Sequence, residues 1–367
     1  MSKWIWMSAA LSAMAMVSSQ AMAVTGGGAM VPAKLYKGSA DSLMPANFIY
    51  TAPGSGDGKI AFLTNDASKL GMTGPVHFAA SESVLTREEI STYNANLSRL
   101  YGPLIQLPSL HTPVAIAYKK SGISNLNLTS VQLCEAFSGT KTTWGNLLGT
   151  SDDTPIRIVY SKLSSGATEI LTRHLASVCP IQFAMNPVFT KARLNYAQVP
   201  SNWVSVSYDD NVASVINAVD GSIGYAGPDD VDAKNNAVVA RINGIQPTPV
   251  NVVLALSGVS PPYGQSVFDP QRWAPVVGKP PLGYAISGFS NLIIGQCYKD
   301  EAVANDLRNF LAAHYSFPGN ITSPVAHGFI RMLDSWKTAI TNNFLTNKLG
   351  NNLDINNPSI CNGIGRP

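Results

Sequence analysis

Short runs of apolar residues alternate along the chain with longer segments in which apolar residues recur at every third or fourth position. A short continuous run is typical of a buried strand, and the wider spacing is typical of a helix with one apolar face. Strands that alternate with helices predict an α/β fold with mainly parallel sheets. The predicted strands are 76–81, 113–118, 155–160 and 250–256, and the predicted helices are 131–137, 168–178, 305–315 and 328–345.

A proline- and glycine-rich stretch, 257–283, interrupts this alternation. It contains Phe268 and Trp273, large apolar side chains that favour burial over exposure to water. We therefore expect an ordered insertion on the surface rather than a solvated linker.

The N-terminal stretch 1–23 has the pattern of an export signal. Lys3 precedes an apolar run, and Ala21-Met22-Ala23 matches a cleavage site of small residues, so we expect cleavage after Ala23. An N-terminal membrane anchor is the alternative, but the apolar run is short and polar residues 18–20 follow it. The sequence therefore predicts an exported protein, located in the periplasm or secreted.

Composition narrows the class of protein further. Hydrophobic residues make up 45% of the 367 residues, enough for extensive cores, and only 13% of the residues are charged. The formal net charge is +3, and the basic residues are scattered rather than grouped in a stripe with aromatic residues. Nucleic acid is therefore not an expected partner, and we expect no cofactor.

The four cysteines are Cys134, Cys179, Cys297 and Cys361. Export makes disulfides favourable, and three pairings of four cysteines are possible. Their order favours Cys134–Cys179 and Cys297–Cys361, because each pair then closes a loop within one region. A zinc site is the alternative, but the chain has no CxxC motif and no histidine at ligand spacing from a cysteine.

Glycine- and serine-rich turns precede predicted helices at three places, 26–32, 52–63 and 164–175. Glycine allows the backbone to approach a ligand closely, and the start of a helix adds unpaired N–H groups and a positive dipole end. One such turn is usually only a helix cap. Three of them in one exported α/β chain indicate an anion pocket.

Glu82 lies between two serines where a buried strand ends, shortly before a predicted helix. Its carboxylate is typical of a helix N-terminus and needs no further role there. The alternative is that it accepts a hydrogen bond from a ligand that carries a proton, such as hydrogen phosphate.

The sequence resembles the phosphate-specific periplasmic binding proteins, and among them the DING family, over nearly all of the chain after residue 23. The stretch 23–26 departs from the Asp-Ile-Asn-Gly motif that gives the family its name. The resemblance also extends to the four cysteines, which fall where the family places its disulfides. It rests on 26–36, 54–63, 133–144, 164–169, 221–229 and 288–298, and on the ending "CNGIGRP" at 361–367.

The resemblance implies a type II binding-protein fold, in which two α/β lobes are joined by crossing strands and close on a ligand like a hinge. One lobe is expected to combine 24–112 with 285–367, and the other to span 113–284. The expected crossing segments are 111–118 and 283–289.

The family holds phosphate with backbone N–H groups, hydroxyls, an arginine and one aspartate. Several of these positions differ here: Glu82 stands for the aspartate, Ser161 for the arginine, and Ala167 for a threonine. Met30 and Val31 fall in a stretch where the family has threonine followed by an apolar residue. The ligand-binding positions implied by the resemblance are Met30, Val31, Ser55, Glu82, Ser161, Lys162, Ser165, Gly166 and Ala167.

The loss of the arginine is the most serious of these differences. A charge-assisted hydrogen bond to an oxyanion contributes roughly 1.5–3 kcal/mol, so its loss together with two hydroxyls predicts binding weaker by about a thousandfold or more. Lys162 is a candidate replacement cation, although neighbours on a strand face opposite sides and Ser161 is expected to face the cleft.

The function we expect is that of a non-enzymatic, monomeric solute-binding protein for inorganic phosphate or a related small anion, with altered affinity. A role in phosphate transport would add ABC transporter permease subunits as partners. One alternative is a phosphatase of the alkaline phosphatase L type, for which the sequence shows no metal constellation and no serine with an evident base. Another is a secreted adhesion or interaction protein with a degenerate ligand site.

The five histidines, none of which is expected to be catalytic, are His77, His111, His174, His314 and His327.

Overall fold

The computed structural model describes residues 23–194, 198–207, 211–316 and 322–367. The export signal predicted for 1–23 therefore lies, apart from Ala23, outside the described residues. The strands are β1 (Val24–Gly28), β2 (Phe48–Thr51), β3 (Phe78–Ser81), β4 (Leu104–Pro113), β5 (Ala115–Lys119), β6 (Asn127–Leu128), β7 (Arg157–Ser161), β8 (Val204–Val206), β9 (Ser222–Ala226), β10 (Arg241–Ile242), β11 (Ser287–Gly295) and β12 (Ile330–Arg331).

The helices are mostly short, although one of them, Glu301–Tyr315, has 15 residues. None of the helices in the described part of the chain is both long enough and apolar enough to cross a membrane. They are α1 (Ala33–Lys37), α2 (Ser55–Thr64), α3 (Arg87–Asn96), α4 (Ser98–Tyr101), α5 (Ser130–Ser138), α6 (Trp144–Leu148), α7 (Gly166–Val178), α8 (Phe189–Ala192), α9 (Val212–Ala218), α10 (Pro249–Leu256), α11 (Glu301–Tyr315), α12 (Thr322–Ala326) and α13 (Asp334–Ile340).

The first lobe is built on a six-stranded sheet with the strand order β12-β4-β11-β3-β1-β2. Strands β2, β1 and β3 run parallel to one another, whereas β11 runs antiparallel to β3 and to β4, and β12 runs antiparallel to β4. All four residues of β3 are buried, and α2 packs against this strand. The carboxyl end of β3 is therefore held next to the start of α2.

The second lobe is built on a four-stranded sheet with the order β5-β9-β7-β8. Strands β9, β7 and β8 are parallel, and β5 is antiparallel to β9. Helix α7 follows β7 after a four-residue turn and buries most of its residues. The small pair of β6 and β10 is also parallel.

Two segments connect the lobes and lie side by side. The chain passes from the six-stranded sheet to the four-stranded sheet where β4 runs through Val114 into β5, and it enters the six-stranded sheet again along 284–286 into β11. The Val114 N–H donates to the Ile286 carbonyl at 2.9 Å, and the Tyr284 hydroxyl donates to the Val114 carbonyl at 3.0 Å. Because the two segments are tied to each other, they form one connection between the lobes.

The predicted α/β class with two lobes is confirmed, but the sheets are mixed rather than mainly parallel. Parallel pairs join strands that are linked through helices, as the alternation of strands and helices predicts. In the six-stranded and four-stranded sheets, every antiparallel pair includes β4, β5, β11 or β12. Three of these are the strands that the chain uses to pass between the lobes, and they must run in opposite directions to leave and to return.

The strand predicted at 250–256 is wrong, because this segment forms helix α10. Three valines favoured a strand, but Pro249 occupies the first helical turn, where its fixed φ suits a helix and its missing N–H has no cost. Val252, Ala255 and Leu256 are buried at helical spacing, whereas Val250 and Leu254 remain 69% and 44% exposed. The period of burial is that of a helix with one apolar face.

The prediction of a single helix over 328–345 is also wrong in its bounds. Ile330 and Arg331 form β12, whose residues pair with His111 and Leu110 of β4. The helix begins only at Asp334 and ends in a π-helical turn, Thr341–Leu345. Pairing with the edge of the six-stranded sheet decides the start of this segment, and that contact is not visible in the local pattern.

The insertion at 257–283 is ordered by two short 3-10 helices, Gly264–Phe268 and Pro270–Trp273. Trp273 is buried and its indole donates to the Val267 carbonyl at 2.8 Å. Phe268, in contrast, stays 50% exposed, so only one of the two aromatic residues anchors the insertion.

Disulfides join Cys134 to Cys179 and Cys297 to Cys361, which confirms the favoured pairing. The first links α5 to the end of α7 in the second lobe. The second links the residues after β11 to the C-terminal segment of the first lobe. Each disulfide therefore constrains one lobe and leaves the connection between the lobes free.

Replacing Cys297 and Cys361 together by serine removes a link across 64 residues. The chain-entropy model predicts that the free energy of unfolding falls by about 4 kcal/mol, because the unfolded chain regains the freedom that the link removed. Denaturant titration of the variant measures this loss. The Cys134/Cys179 double variant, with a separation of 45 residues, is the matched control and is expected to lose nearly as much. An unchanged free energy in both variants would contradict this view of the disulfides.

Candidate functional site

Glu82 is the buried centre of the site between the lobes. It follows β3 directly and is 1% exposed. Its Oε2 atom accepts a hydrogen bond of 2.9 Å from the Ser55 hydroxyl, and its Oε1 atom accepts one of 2.7 Å from the Ser290 hydroxyl. Three elements of the first lobe, β3, α2 and β11, therefore position this one carboxylate.

The second lobe covers Glu82 with the first residue of α7, Gly166. A methyl group on Gly166 would overlap both the Glu82 carboxylate and the Ser55 hydroxyl oxygen, so only glycine allows this approach. Ser165 caps the helix, and its hydroxyl accepts from the Thr168 N–H at 3.2 Å. The carboxylate therefore lies directly against the start of α7.

The N-termini of α2 and α7 converge on this carboxylate. The first N–H groups of each helix have no acceptor within the helix, and each N-terminus carries the positive end of the helix dipole. Ser55 is the first residue of α2 and Gly166 is the first residue of α7. Ser164 lies against Gly54 and Gly56, so the two helix starts also contact each other across the lobes. This arrangement favours a negative charge where the Glu82 carboxylate lies.

Hydroxyls from both crossing strands extend the site. Ser290 on β11 and Thr112 on β4 share a hydrogen bond of 2.9 Å beside Glu82, and both are fully buried. These two residues were not among the predicted ligand positions. The available signal was the presence of several polar residues in the largely apolar segments 104–113 and 287–295, since buried polar groups require partners.

Ser161 and Ser165 lie on the second-lobe side of the site, and the turn that holds Ser165 leads into Gly166, which contacts Glu82. The Ser161 N–H donates to the Tyr225 hydroxyl at 3.1 Å, and Tyr225 shares a hydrogen bond of 2.6 Å with Thr168. The Ser161 hydroxyl is buried and has no hydrogen-bond partner among the described residues. A buried hydroxyl without a partner is costly, so this position is not optimised for stability alone.

The remaining predicted positions differ in their burial and in the residues that they contact. Ala167 is the buried second residue of α7, and Val31 packs against Gly227 across the lobes. Met30 is partly buried beside Gly54. The Lys162 side chain is exposed, so the structure does not bring this predicted replacement cation into the buried site.

A buried ion pair lies next to the site, on α7. Arg173 donates to Glu169 Oε1 at 3.0 Å, and the Ser83 hydroxyl of the first lobe donates to Glu169 Oε2. Burial lowers the pKa of Arg173 from its ordinary value, and the charge of Glu169 opposes this. The charge of Arg173 is thus compensated within its own helix.

The negative charge of Glu82 affects the pKa of a tyrosine in the first lobe. Burial raises the pKa of Tyr36 above its usual range, and the negative charge of Glu82 adds to this. The Tyr36 hydroxyl donates to the Ser109 hydroxyl at 2.9 Å.

Two ionic contacts join the lobes at the edge of the cleft. Lys34 Nζ lies 2.8 Å from Asp230 Oδ1. His327 lies 2.7 Å from Asp229 Oδ2 through Nδ1 and 3.2 Å from Asp41 Oδ1 through Nε2. Partial burial opposes protonation of His327, but the two carboxylates outweigh it and raise the pKa of His327 above its ordinary value.

The other four histidines are buried in hydrogen-bonded positions. His111, near the crossing strands, bonds the Arg331 carbonyl through Nδ1 at 2.9 Å. Burial lowers the pKa of His77, His111 and His314 to about 4 and also lowers the pKa of His174. No cluster of three or more His, Cys, Asp or Glu side chains suited to a metal ion occurs in the described part of the chain.

Comparison with known proteins agrees with this geometry. A family model described as the PBP superfamily domain matches residues 4–310. A relative from Pseudomonas aeruginosa (strain PAO1), named alkaline phosphatase L, is 54% identical over 361 residues, 98% of each chain. A phosphate-binding protein from an unknown prokaryotic organism is 35% identical and covers 94% of this chain and 100% of its own.

Solved structures give the same result. A phosphate-binding protein from Stenotrophomonas maltophilia has a TM-score of 0.87 and 38% identity, covering 94% of this chain and 99% of its own. PfluDING, described as a periplasmic phosphate-binding protein bound with phosphate, has a TM-score of 0.87 and 36% identity, covering 94% and 100%.

Two α/β lobes that enclose a buried polar site and are joined by crossing strands define a solute-binding protein. The family model, the identities and the solved structures narrow this class. The chain belongs to the DING family of phosphate-binding proteins.

Replacing His327 by glutamine is expected to remove a pH-dependent contribution to stability. A histidine whose pKa is raised on folding stabilises fully below its unfolded pKa of about 6.5, and the contribution is lost as pH rises through the raised value. The expected contribution is about 1 kcal/mol or less, since the contact lies near the surface. Thermal unfolding of both proteins between pH 6 and pH 9 measures it.

The difference between wild type and variant is the quantity to compare. The four buried histidines have lowered pKa values, so their contribution is present above about pH 6.5 and is lost below it in both proteins. Lys34→Gln is the matched control, because it removes an ionic contact between the lobes that contains no histidine. A His327→Gln difference that stays constant from pH 6 to pH 9 would contradict the assignment.

Proposed function

We propose that the protein binds inorganic phosphate, or a closely related small oxyanion, between its two lobes. The observation that carries this proposal is the convergence of the α2 and α7 N-termini with the Ser55 and Ser290 hydroxyls on one buried point. Backbone N–H groups and hydroxyls at paired helix starts supply the hydrogen bonds that a dehydrated oxyanion requires. PfluDING, whose solved structure matches this chain with a TM-score of 0.87, is bound with phosphate.

The Glu82 carboxylate favours phosphate over sulfate as the ligand. A phosphate that keeps one proton can donate a hydrogen bond to a carboxylate, whereas fully ionised sulfate has no proton to donate. Sulfate would leave two buried negative charges in contact without a hydrogen bond between them. Discrimination by an acceptor of this kind needs no positive charge in the site.

We expect the affinity to be modest. Ser161 stands where the family has an arginine, the Lys162 side chain is exposed, and Arg173 is paired with Glu169. Helix dipoles and hydroxyls therefore have to hold the anion without a bidentate arginine, and that residue would contribute roughly 1.5–3 kcal/mol per charge-assisted hydrogen bond.

We extend the proposal to export, with the periplasm as the location. The support is the sequence pattern of 1–23 and the periplasmic description of PfluDING. Delivery of the ligand to ABC transporter permease subunits would follow from the class of protein. Secretion into the medium is distinguished from periplasmic location by fractionating cells that produce the full chain.

Calorimetric titration of the ligand-stripped protein with phosphate, and separately with sulfate, tests the proposal. We expect phosphate to bind and sulfate not to bind. Ser55→Ala should weaken phosphate by roughly tenfold to a hundredfold, because it removes a hydroxyl at the buried point. Ser91→Ala, at an exposed position on α3, is the matched control and should leave binding unchanged. Absence of phosphate binding at millimolar concentration would rule out the proposed ligand.

Hydrolysis of phosphate monoesters is the second candidate function, and one observation favours it. The Ser55 hydroxyl donates to the Glu82 carboxylate at 2.9 Å, which pairs a possible nucleophile with a possible base at a helix start. However, a carboxylate is a weak base for a serine hydroxyl, and both groups are buried. We expect no hydrolysis of p-nitrophenyl phosphate that depends on Ser55. Activity in the wild type that Ser55→Ala abolishes and Ser91→Ala retains would favour the enzyme.

A further inference from the structure

We propose that the Glu82 carboxylate is an intramolecular ligand, which fills the anion position between α2 and α7 and which phosphate must displace. This inference rests on the proposed function, since it concerns the same site. It adds that the site is regulated by its own carboxylate, so that the protein responds only to phosphate at high concentration.

The geometry of Glu82 carries the proposal. A glutamate reaches one methylene, roughly 1.5 Å, further from the backbone than an aspartate at the same position. Here the Glu82 side chain lies against Gly166, the first residue of α7, from its Cβ atom to its carboxylate, and Ser55 at the start of α2 donates to the carboxylate. The side chain is 1% exposed. It does not line the site from one wall but lies between the two helix starts.

The surroundings of the carboxylate are those of a bound anion. Ser55 and Ser290 donate to its two different oxygen atoms, at 2.9 Å and 2.7 Å. Both helix N-termini present their positive ends to it. A phosphate cannot occupy the same position as the carboxylate, so the Glu82 side chain has to move aside before phosphate binds and donates a hydrogen bond to it.

The carboxylate also contributes to the contact between the lobes. Solute-binding proteins close around a ligand because it interacts with both lobes at once. Glu82 is attached to the first lobe and contacts the second, as a ligand would. Other described contacts between the lobes include Ser83 with Glu169, Ser164 with Gly54 and Gly56, Ile170 with Gly288, Val31 with Gly227, Pro228 with Gly328, Lys34 with Asp230, and His327 with Asp229.

Displacement has a quantitative consequence. The apparent affinity for a ligand falls by the fraction of molecules in which the site is open to it. If Glu82 occupies the position in about 99 of 100 molecules, the apparent dissociation constant for phosphate rises about a hundredfold. The absence of an arginine at position 161 acts in the same direction, because it weakens a phosphate that carries two charges more than a carboxylate that carries one.

Three substitutions at Glu82 separate its charge from its length. Glu82→Asp withdraws the carboxylate but keeps the acceptor, so it should bind phosphate at least about tenfold more tightly than wild type and still reject sulfate. Glu82→Gln removes the charge, so it should also bind phosphate more tightly but accept sulfate. Glu82→Ala removes the tethered ligand entirely. Exposed Glu88 on α3 provides matched controls, Glu88→Asp and Glu88→Gln, which should bind as wild type does.

Small-angle X-ray scattering provides a readout that does not depend on affinity. Ligand-stripped wild type should already have the compact radius of gyration and should not contract when phosphate is added. Ligand-stripped Glu82→Ala should be more open and should contract on adding phosphate. Circular dichroism confirms folding of each variant, and Glu82→Asp, the most conservative change, serves if Glu82→Ala does not fold.

The outcomes separate this inference from the proposed function. Phosphate bound by wild type as tightly as by Glu82→Asp and Glu82→Gln, or a ligand-stripped wild type as open as Glu82→Ala, would overturn the inference while leaving the function intact. If no protein in the series binds phosphate, the proposed function fails. Compact wild type and open Glu82→Ala would then still support an intramolecular ligand.

Discussion

The interaction on which the site depends is that of one buried carboxylate with the starts of two helices. Helix starts carry unpaired N–H groups and a partial positive charge, and two of them placed together strongly favour an anion. Glu82 supplies that anion from within the chain, with Ser55 and Ser290 as its hydroxyl donors. Because α2 belongs to one lobe and α7 to the other, the same interaction both satisfies the helix starts and brings the lobes together.

Charge in the centre of the molecule is balanced locally rather than across the cleft. Arg173 is compensated by Glu169 on the same helix, and Ser83 of the opposite lobe joins this pair through a neutral hydroxyl. The ionic contacts between the lobes lie at the edge, where water moderates their strength and where His327 can change its charge. The lobes can therefore separate without leaving a buried unpaired ion in either of them.

The sequence predicted the parts of the structure that local physics determines. The α/β class, the two disulfides and the glycine turn that opens α7 follow from periodicity, cysteine order and helix-start chemistry. The segment 250–256 has the three valines typical of a strand, but Pro249 starts a helix there. The roles of Ser290 and Thr112 depend on the pairing of β4 with β11, residues 178 positions apart, which no local pattern encodes.

One electrostatic argument accounts for both Glu82 and Ser161. A phosphate carrying two charges is best held where helix starts are joined by a guanidinium, and the family resemblance implies Ser161 in place of that group. The two helix starts, each equivalent to about half a positive charge, together match a single negative charge. A carboxylate carries one, so it is the better partner for this site once the arginine is absent. Shortening Glu82 alone would then leave the helix starts without a matching anion, and that unmet preference is the driving force for any ligand that enters.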